Sequence, residues 1–392
     1  MARVTLVTRI FAPEAAAATF RLTEVVRALV ARGAQVRVLT TNPPPGRAAD
    51  DAVVAGARVH RAPVLRDASG YVRGYLQYLS FDLPAAVRLL LTPRPDVVLV
   101  EPPPTTGAVV RAVTGARSLV GRRVPYVYYA ADVWSDASES VGAPAVVVTL
   151  LRAMERFALR GAAQVLAVSD GVADRVRELG ADPVTVVRNG IDTTVFTPEG
   201  PAPADAPEGP FLVYAGTASE WQGAEVFAEA MREVLWQVPG ARLVFLGQGS
   251  SWPALQRVAA QLPPGAIELR PLVPPDEAAA WQRAAAGALV SVKPGLGYDF
   301  AYPTKVLAAL ACGTPVVYAG PGPAADDLRT HDLGEAVEYA VGPVAAAMVR
   351  VLSARASEGD RQLRAAWVRE HRSLARTGAE AAQAVLAAVA RD

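Results

Sequence analysis

The chain is poor in the residues that staple small proteins or hold metals. One cysteine, Cys312, stands in 392 residues. It excludes an internal disulfide and any multi-cysteine zinc or iron–sulfur site. The three histidines, His60, His331 and His371, are scattered, so no metal site is expected. Lysine is nearly absent as well. Of 39 basic residues only Lys293 and Lys305 are lysines. A GC-rich coding sequence accounts for that arginine bias, so it carries no functional weight by itself. No run of about 18 apolar residues escapes a charge or a helix breaker, so no transmembrane helix is expected. The opening MARVTLVTRIFAPE lacks the long apolar core of a signal peptide, and the expected compartment is the cytoplasm. Excess charge of one sign is missing too. Against 38 acidic residues the net charge is only +1, so no global field draws nucleic acid and no such partner is expected.

What is present is apolar substance. Hydrophobic residues make up 52% and charged residues 20%, which excludes a disordered chain. The length suggests two or three domains at about 150 residues each. It also lets the chain bury roughly three quarters of its unfolded surface without a staple.

Short apolar runs alternate with helical periodicity. Residues 3–8 and 36–40 read as buried strands, and residues 19–32 between them as a helix that stops at Gly33. Runs at 96–101, 124–130, 163–169 and 183–189 continue the pattern. Residues 196–210, FTPEGPAPADAPEGP, are proline-rich without apolar periodicity and read as a linker. The pattern then restarts with strands at 211–216, 241–247, 266–272, 286–294 and 314–320. The long C-terminal segment, roughly 361–392, reads as helical and amphipathic. The expected fold class is α/β, with two Rossmann-like domains facing across a cleft. The expected division is 1–195, joined by a C-terminal helix at 371–392; a linker at 196–210; and 211–370. Ligands of open α/β sheets bind beyond the carboxyl ends of the strands, so candidate site residues are sought there.

Residues 302–317, YPTKVLAALACGTPVV, carry the clearest element. Pro303 stands where a helix starts and Gly313 where it ends. The free amides of the first turn and Lys305 can together hold an anion. An ordinary capped helix with a surface lysine accounts for the same residues. The segment is similar to the P-S-K-L-x-E-Y-x-A-x-G-x-P-V element of family 4 glycosyltransferases, which have the GT-B fold. VRNGIDTTVFTP (187–198), VYAGTASEWQG (213–223), VFLGQG (244–249), ADVWSDASES (131–140) and the opening IFAPE…VRVLT resemble further elements of that family, in the same order. The subgroup most like this chain acts on nucleotide-activated amino or deoxy sugars in polysaccharide assembly.

The resemblance implies a retaining, metal-independent transfer of a sugar from a nucleotide diphosphate, with no cofactor. The acceptor it implies is a glycan-lipid or a natural product. It implies that the second domain binds the donor and the first the acceptor. Gly216, Thr217, Gln222 and Gly223 match the phosphate loop and Gly247 the next glycine loop. Where the commoner pattern has an arginine and a lysine, this chain has Thr217 and Gln222, and Lys293 and Lys305 are expected to restore the charge. Tyr302, Thr304 and Ala308 complete the donor set. The family's two glutamates, eight positions apart, are missing: Phe300 and Ala308 stand in their places. Asp299, beside the first, is the nearest substitute. That departure leaves open a weakened nucleotide site, a ribose read by another group, an enzyme of altered chemistry such as a pseudo-glycosyltransferase or epimerase, or a silent scaffold that partners an active transferase.

In the first domain the acceptor set is Glu14, Arg21, Glu101, Asp132 and Trp134. Asp132, Lys305 and Asp299 are the catalytic candidates. Asp132, with Trp134, Ser135 and Asp136, is expected at a strand end, where a carboxylate can orient a hydroxyl; capping of the following helix is the plainer role. Arg21 touches phosphate or pairs with an acidic neighbour. The aromatics of YVRGYLQYLSF (71–81) read as core, with an acceptor or peripheral membrane face as the other reading. Oligomeric state leaves no mark in the sequence.

Overall fold

The structure, a computed structural model, describes residues 1–14, 16–44, 48–49, 54–67, 70, 72, 74–119, 121, 123–140, 142–354 and 357–390. It divides into two units, Met1–Asn189 with Leu374–Asp392, and Gly190–Ser373.

In the first unit the elements follow as β1 Arg3–Val7, α1 Ala17–Ala31, β2 Gln35–Thr41, β3 Ala57–Ala62, α2 Tyr75–Leu91, β4 Val97–Val100, α3 Pro104–Leu119, β5 Tyr126–Ala130, α4 Trp134–Ser140, α5 Ala145–Gly161, β6 Gln164–Ala167, α6 Asp170–Glu178 and β7 Val184–Val186. Seven parallel strands stand in the order β3-β2-β1-β4-β5-β6-β7. The central strands are apolar on both faces because helices cover both. On one side Leu22, Val25 and Leu29 of α1 pack with the carboxy-terminal helix; on the other Phe81 and Leu89 of α2 meet Val110 of α3 and Leu159 of α5. Strand order reverses between β1 and β4, so the switch point lies where Thr8 and Glu101 leave the sheet.

The second unit holds β8 Phe211–Ala215, α7 Glu225–Gln237, β9 Arg242–Leu246, α8 Trp252–Ala259, β10 Ile267–Arg270, α9 Pro275–Ala284, β11 Gly287–Ser291, α10 Thr304–Ala311, β12 Val316–Ala319, α11 Pro323–Thr330, β13 Gly334–Val337, α12 Val341–Ser353 and α13 Glu358–His371. Helix α14, Leu374–Ala390, belongs to the first unit and packs on α1. The sheet is parallel, in the order β10-β9-β8-β11-β12-β13, and reverses between β8 and β11.

Three readings of the sequence change. Residues 361–392 are helical in two pieces, α13 and α14. α13 ends at Arg372, whose side chain is held by Asp327 at 2.6 Å, and the Ile191 amide donates to the Arg372 carbonyl at 2.9 Å. Ser373 bridges Ile191 and the next helix starts afresh. No glycine or proline announces that break. Residues 196–210 are no free linker: Arg283 donates to the Thr197 and Pro201 carbonyls, and Arg270 pairs with Asp205. These residues therefore count with the second unit. β3 and β13 went unread because they are edge strands, ARVHRA and GEAV, only partly buried and without an apolar run.

Candidate active site

The strongest constellation sits beyond β8 and β9. Lys305 leaves the first turn of α10 and reaches the turn after β8. Its ammonium donates to the Tyr214 hydroxyl at 2.7 Å and to the Thr217 carbonyl, and lies 4.3 Å from the centre of the Tyr214 ring. Tyr214 Oη in turn donates to the Thr217 carbonyl at 3.0 Å. The lysine is half-buried by its own exposed surface yet densely enclosed. That enclosure pushes its ammonium down to about 7, with no carboxylate to answer it. Among the described residues the Thr304 and Lys305 amides carry no main-chain hydrogen bond, and the N-cap, Pro303, supplies no side-chain cap. A helix start and a lysine thus offer positive charge without a negative partner.

The glycines explain how the turns approach each other. Gly216 (φ +116°) holds a backbone conformation that disfavours a side chain, and a Cβ there lies 2.9 Å from Lys305 Cε, so the lysine would have to shift. A Cβ on Gly247 lies 2.0 Å from the Gly216 carbonyl oxygen. The Gly216 amide donates to the Leu246 carbonyl at 2.7 Å, which ties the two turns. The structure therefore brings Gly216, Thr217, Gly247, Thr304 and Lys305 together, with Ala308 buried one turn along α10 from Thr304.

The other donor candidates, the Lys293 side chain apart, are engaged within the fold. Gln222 is buried, and its side-chain oxygen accepts from the Ser219 amide (3.1 Å) and hydroxyl (3.0 Å). Gly223 gives room to Tyr339, whose hydroxyl donates to the Gly223 carbonyl at 2.7 Å. Lys293 is exposed, and its amide donates to the Trp221 carbonyl. Asp299 is exposed and accepts from the Gly295 amide at 3.1 Å, which holds the 294–302 loop. The Tyr302 ring lies under the Arg372 guanidinium at 5.1 Å, beside Asp327.

In the first unit the chemistry gathers at the β1/β4 switch. Arg21 and Glu101 are buried and ion-paired. Thr8 donates to Glu101 at 3.4 Å, Arg21 to Asn189 at 3.4 Å, and the guanidinium lies over Tyr129 at 4.9 Å. Burial pushes the Glu101 carboxyl up, and the charge of Arg21 works against it. Of the two roles open to Arg21, the structure gives it the acidic neighbour. Asp132, after β5, is exposed at its surface, with protein packed around its base. Crowding raises its carboxyl, and Arg21 opposes the rise.

Asp132 does not cap α4. Glu155, reaching from α5, accepts from the Trp134 amide (2.9 Å), the Ser135 amide (3.2 Å) and the Ser135 hydroxyl (2.7 Å). That cap leaves Asp132 without a hydrogen bond among the described residues. Asp136 is taken by Arg175 at 2.6 Å. Glu14 is buried in a two-pronged pair with Arg66 (2.8 and 3.3 Å), so it shapes its loop. Trp134 packs edge-on against Tyr78 at 5.6 Å, with Arg9 over both rings. Phe81 is core and Tyr78 half-buried, as the aromatic stripe suggested; Tyr71, Arg73 and the Tyr75 side chain lie outside the described residues.

Residues 17–190 match the family described as "Glycosyl transferase 4-like domain", and residues 209–354 match "Glycosyl transferases group 1". The chain belongs to the family 4 glycosyltransferases of the GT-B fold. No curated protein sequence matches it. Among solved structures, this glycosyltransferase is similar to the catalytic domain of starch synthase IV from Arabidopsis thaliana bound to ADP and acarbose. They share 13% identity at a TM-score of 0.70, over 100% of both chains. It is also similar to HepE from Anabaena in complex with UDP-glucose, at 14% identity and a TM-score of 0.64, over 99% of this chain and 100% of the other. A glycosyltransferase from Rickettsia africae gives 13% and 0.70, over 100% and 99%.

Two residues of these constellations escaped the sequence reading. Tyr214 lies inside an apolar strand, and nothing in FLVYA marks its hydroxyl as the partner of a lysine 91 positions away. Glu155 caps a helix 20 positions upstream, a distance no capping pattern covers. Among the described residues no cluster of three or more metal-ligating side chains occurs.

Proposed function

We propose that this glycosyltransferase moves a sugar from a nucleoside diphosphate to a hydroxyl of a lipid-linked glycan precursor or natural product, with retention at the anomeric carbon and without a divalent metal. The observation that carries the reading is Lys305: an ammonium with no carboxylate partner, held at a helix start beside Gly216 and Gly247. ADP bound to starch synthase IV and UDP-glucose bound to HepE support a donor of this class.

In the reaction the bond from the anomeric carbon to the diphosphate oxygen breaks and a bond to the acceptor oxygen forms. Negative charge grows on the leaving diphosphate. Lys305 and the Thr304 and Lys305 amides stabilise it, a positive lobe that is in place before the charge appears. Thr304 offers a hydroxyl where the resemblance has a ribose-binding glutamate one turn on, at Ala308. On the first unit Asp132 holds the acceptor hydroxyl and takes its proton, and its raised carboxyl makes it a better base than an ordinary aspartate. Arg21 and Glu101 fix the strand ends behind it. The test is incubation with UDP-, GDP-, ADP-, TDP- and CDP-sugars, with and without EDTA. Release of one nucleoside diphosphate, unchanged by EDTA, is expected. Release that requires added metal overturns metal independence, and no release from any donor overturns the reading.

A further inference from the structure

The amino edge of the first sheet carries a row of arginines. Arg37 of β2 stands in register with Thr5 of β1 on one side and with Arg58 of β3 on the other. Residues in register on parallel strands turn their side chains to the same face, and Arg3, two positions before Thr5, turns that way too. Arg94 and Arg123 follow just ahead of β4 and β5, the next strands in the sheet. Adjacent strands stand about 4.8 Å apart, so one arginine per strand makes a row about 19 Å long. Two adjoining hollows open along it. Arg3, Thr5, Gln35, Arg37 and Arg58 line the first, of about 510 Å³. Arg3, Arg94, Asp96 and Arg123 line the second, of about 220 Å³. Arg3 and Pro95 border both, so the hollows form one groove.

The groove is short of negative charge. Among the described residues Asp96 is the one carboxylate that lines it, and Arg3 donates to that carboxylate at 2.8 and 3.4 Å. Arg37, Arg58, Arg94 and Arg123 make no side-chain hydrogen bond or ion pair among the described residues, and Nη2 of Arg94 is buried without an acceptor. Composition does not account for this. Elsewhere in the same unit Arg21, Arg66, Arg152, Arg175 and Arg188 each meet a carboxylate. Helix ends do not account for it either. Arg117 already donates to the Leu89 and Thr92 carbonyls at the carboxyl end of α2, and Arg88 to the Thr40 and His60 carbonyls. Burial and the Arg94 charge both push Arg117 down, so guanidinium repels guanidinium here. A cleft lined by one sign of charge focuses its field on a ligand of the other.

We infer that this groove binds an acidic oligosaccharide, a sugar chain with a carboxylate on successive residues, at the opposite edge of the sheet from Asp132. The guanidinium fork pairs with a carboxylate through two parallel hydrogen bonds. A sugar ring spans close to one strand spacing, so successive carboxylates meet successive arginines. Between the arginines Thr5 and Gln35 offer a hydroxyl and an amide to sugar hydroxyls. Phosphate is a poorer fit. Phosphate sites are built on helix N-termini, whereas α1 and α2 bring their carboxyl ends to this edge, beside Gly33 and Pro93, and such ends are negative. Nucleic acid is a poorer fit as well. Among the described residues no aromatic side chain lines the groove, which leaves bases nothing to stack on. The groove lies at the amino ends of the strands and the proposed chemistry at their carboxyl ends, so the inference does not rest on that reading.

The test is isothermal titration of the full chain with hexagalacturonate, with maltohexaose, a thymidine hexanucleotide and hexaglutamate as controls of matched length. Hexagalacturonate is expected to bind, with an affinity that falls as salt rises, and maltohexaose is expected not to bind. Arg37→Gln with Arg58→Gln should weaken binding by about tenfold or more, and Arg94→Gln likewise. None of these side chains holds a partner, so the melting temperature of each variant should stay level or rise as facing charges are removed. Arg58→Gln alone, at an exposed position, gives a second reading with the least risk to the fold. No binding of hexagalacturonate overturns the inference, as does binding that the double variant keeps. Equal binding of the oligonucleotide or of hexaglutamate overturns it too, since the groove then has no preference for sugar. Binding here needs no donor and no turnover, so its failure and the failure of the proposed function are separate results.

Discussion

Lys305 makes the proposed donor site titratable in a measurable way. In the free protein, enclosure holds its ammonium at about 7 against an ordinary 10.5. At pH 8 only about a tenth of the molecules then carry the charge. A diphosphate beside Nζ favours the charged form and returns the group toward its ordinary value, so binding must capture a proton. The sign follows from linkage. Above pH 7 the bound state holds more protons than the free state, and affinity falls by about tenfold for each unit of pH until the bound form itself titrates. Below pH 7 both states are protonated and the lysine contributes no slope. The second ionisation of a terminal phosphate lies near 6, so the window from 7.5 to 9 isolates the lysine. Isothermal titration of the nucleoside diphosphate at pH 8, in two buffers of different ionisation enthalpy, should give an uptake of about 0.9 proton per site. Lys305→Met should abolish the uptake and lower affinity by more than about tenfold. A flat affinity from pH 7.5 to 9 with no proton uptake refutes the reasoning.

Further expectations rest on other contacts. Lys305→Met should also raise the melting temperature of the unliganded protein more at pH 6 than at pH 10. The cost of the enclosed charge is fully present below 7 and relieved as pH climbs toward 10.5. Gly247→Ala drives a methyl to 2.0 Å from the Gly216 carbonyl oxygen, so both thermal stability and nucleotide affinity should fall together. Glu155→Ala strands the first amides of α4 and should cost about 1–3 kcal/mol in denaturant unfolding, while nucleotide affinity holds. Ala308→Glu places a carboxylate where the resemblance has the ribose ligand. A new charged hydrogen bond of about 1.5–3 kcal/mol should tighten nucleotide binding by roughly tenfold or more.

Much of the fold was legible because buried parallel strands are apolar on both faces and leave dense runs such as DVVLVE and ARLVFLG. What escaped was polar at the edge or fixed by distant contacts. β3 and β13 carry charge because one side of each faces solvent. The break at Arg372 depends on Asp327 and Ile191, which no local pattern reaches. The site shows the same division. Lys305, Gly216 and Gly247 were readable as a helix start facing glycine turns. Gln222, Glu14 and Tyr302 carry the right chemistry, yet their polar atoms or rings are taken by Ser219, Arg66 and Arg372. Asp132 was readable as a strand-end carboxylate, but that Glu155 does the capping in its place is visible only in three dimensions. On α2 the aromatics drew attention inward, while the leucines between them mark the surface.

The most direct test of the proposed donor site is a thermal-shift screen of the wild type, Lys305→Met and Gly247→Ala against UDP, GDP, ADP, TDP and CDP. Ligand at about 100 times its dissociation constant adds roughly 2.7 kcal/mol to a folded state that binds it. The account predicts a rise in melting temperature with one base, reduced or lost in both variants. No rise with any base, or a rise that both variants keep, contradicts it.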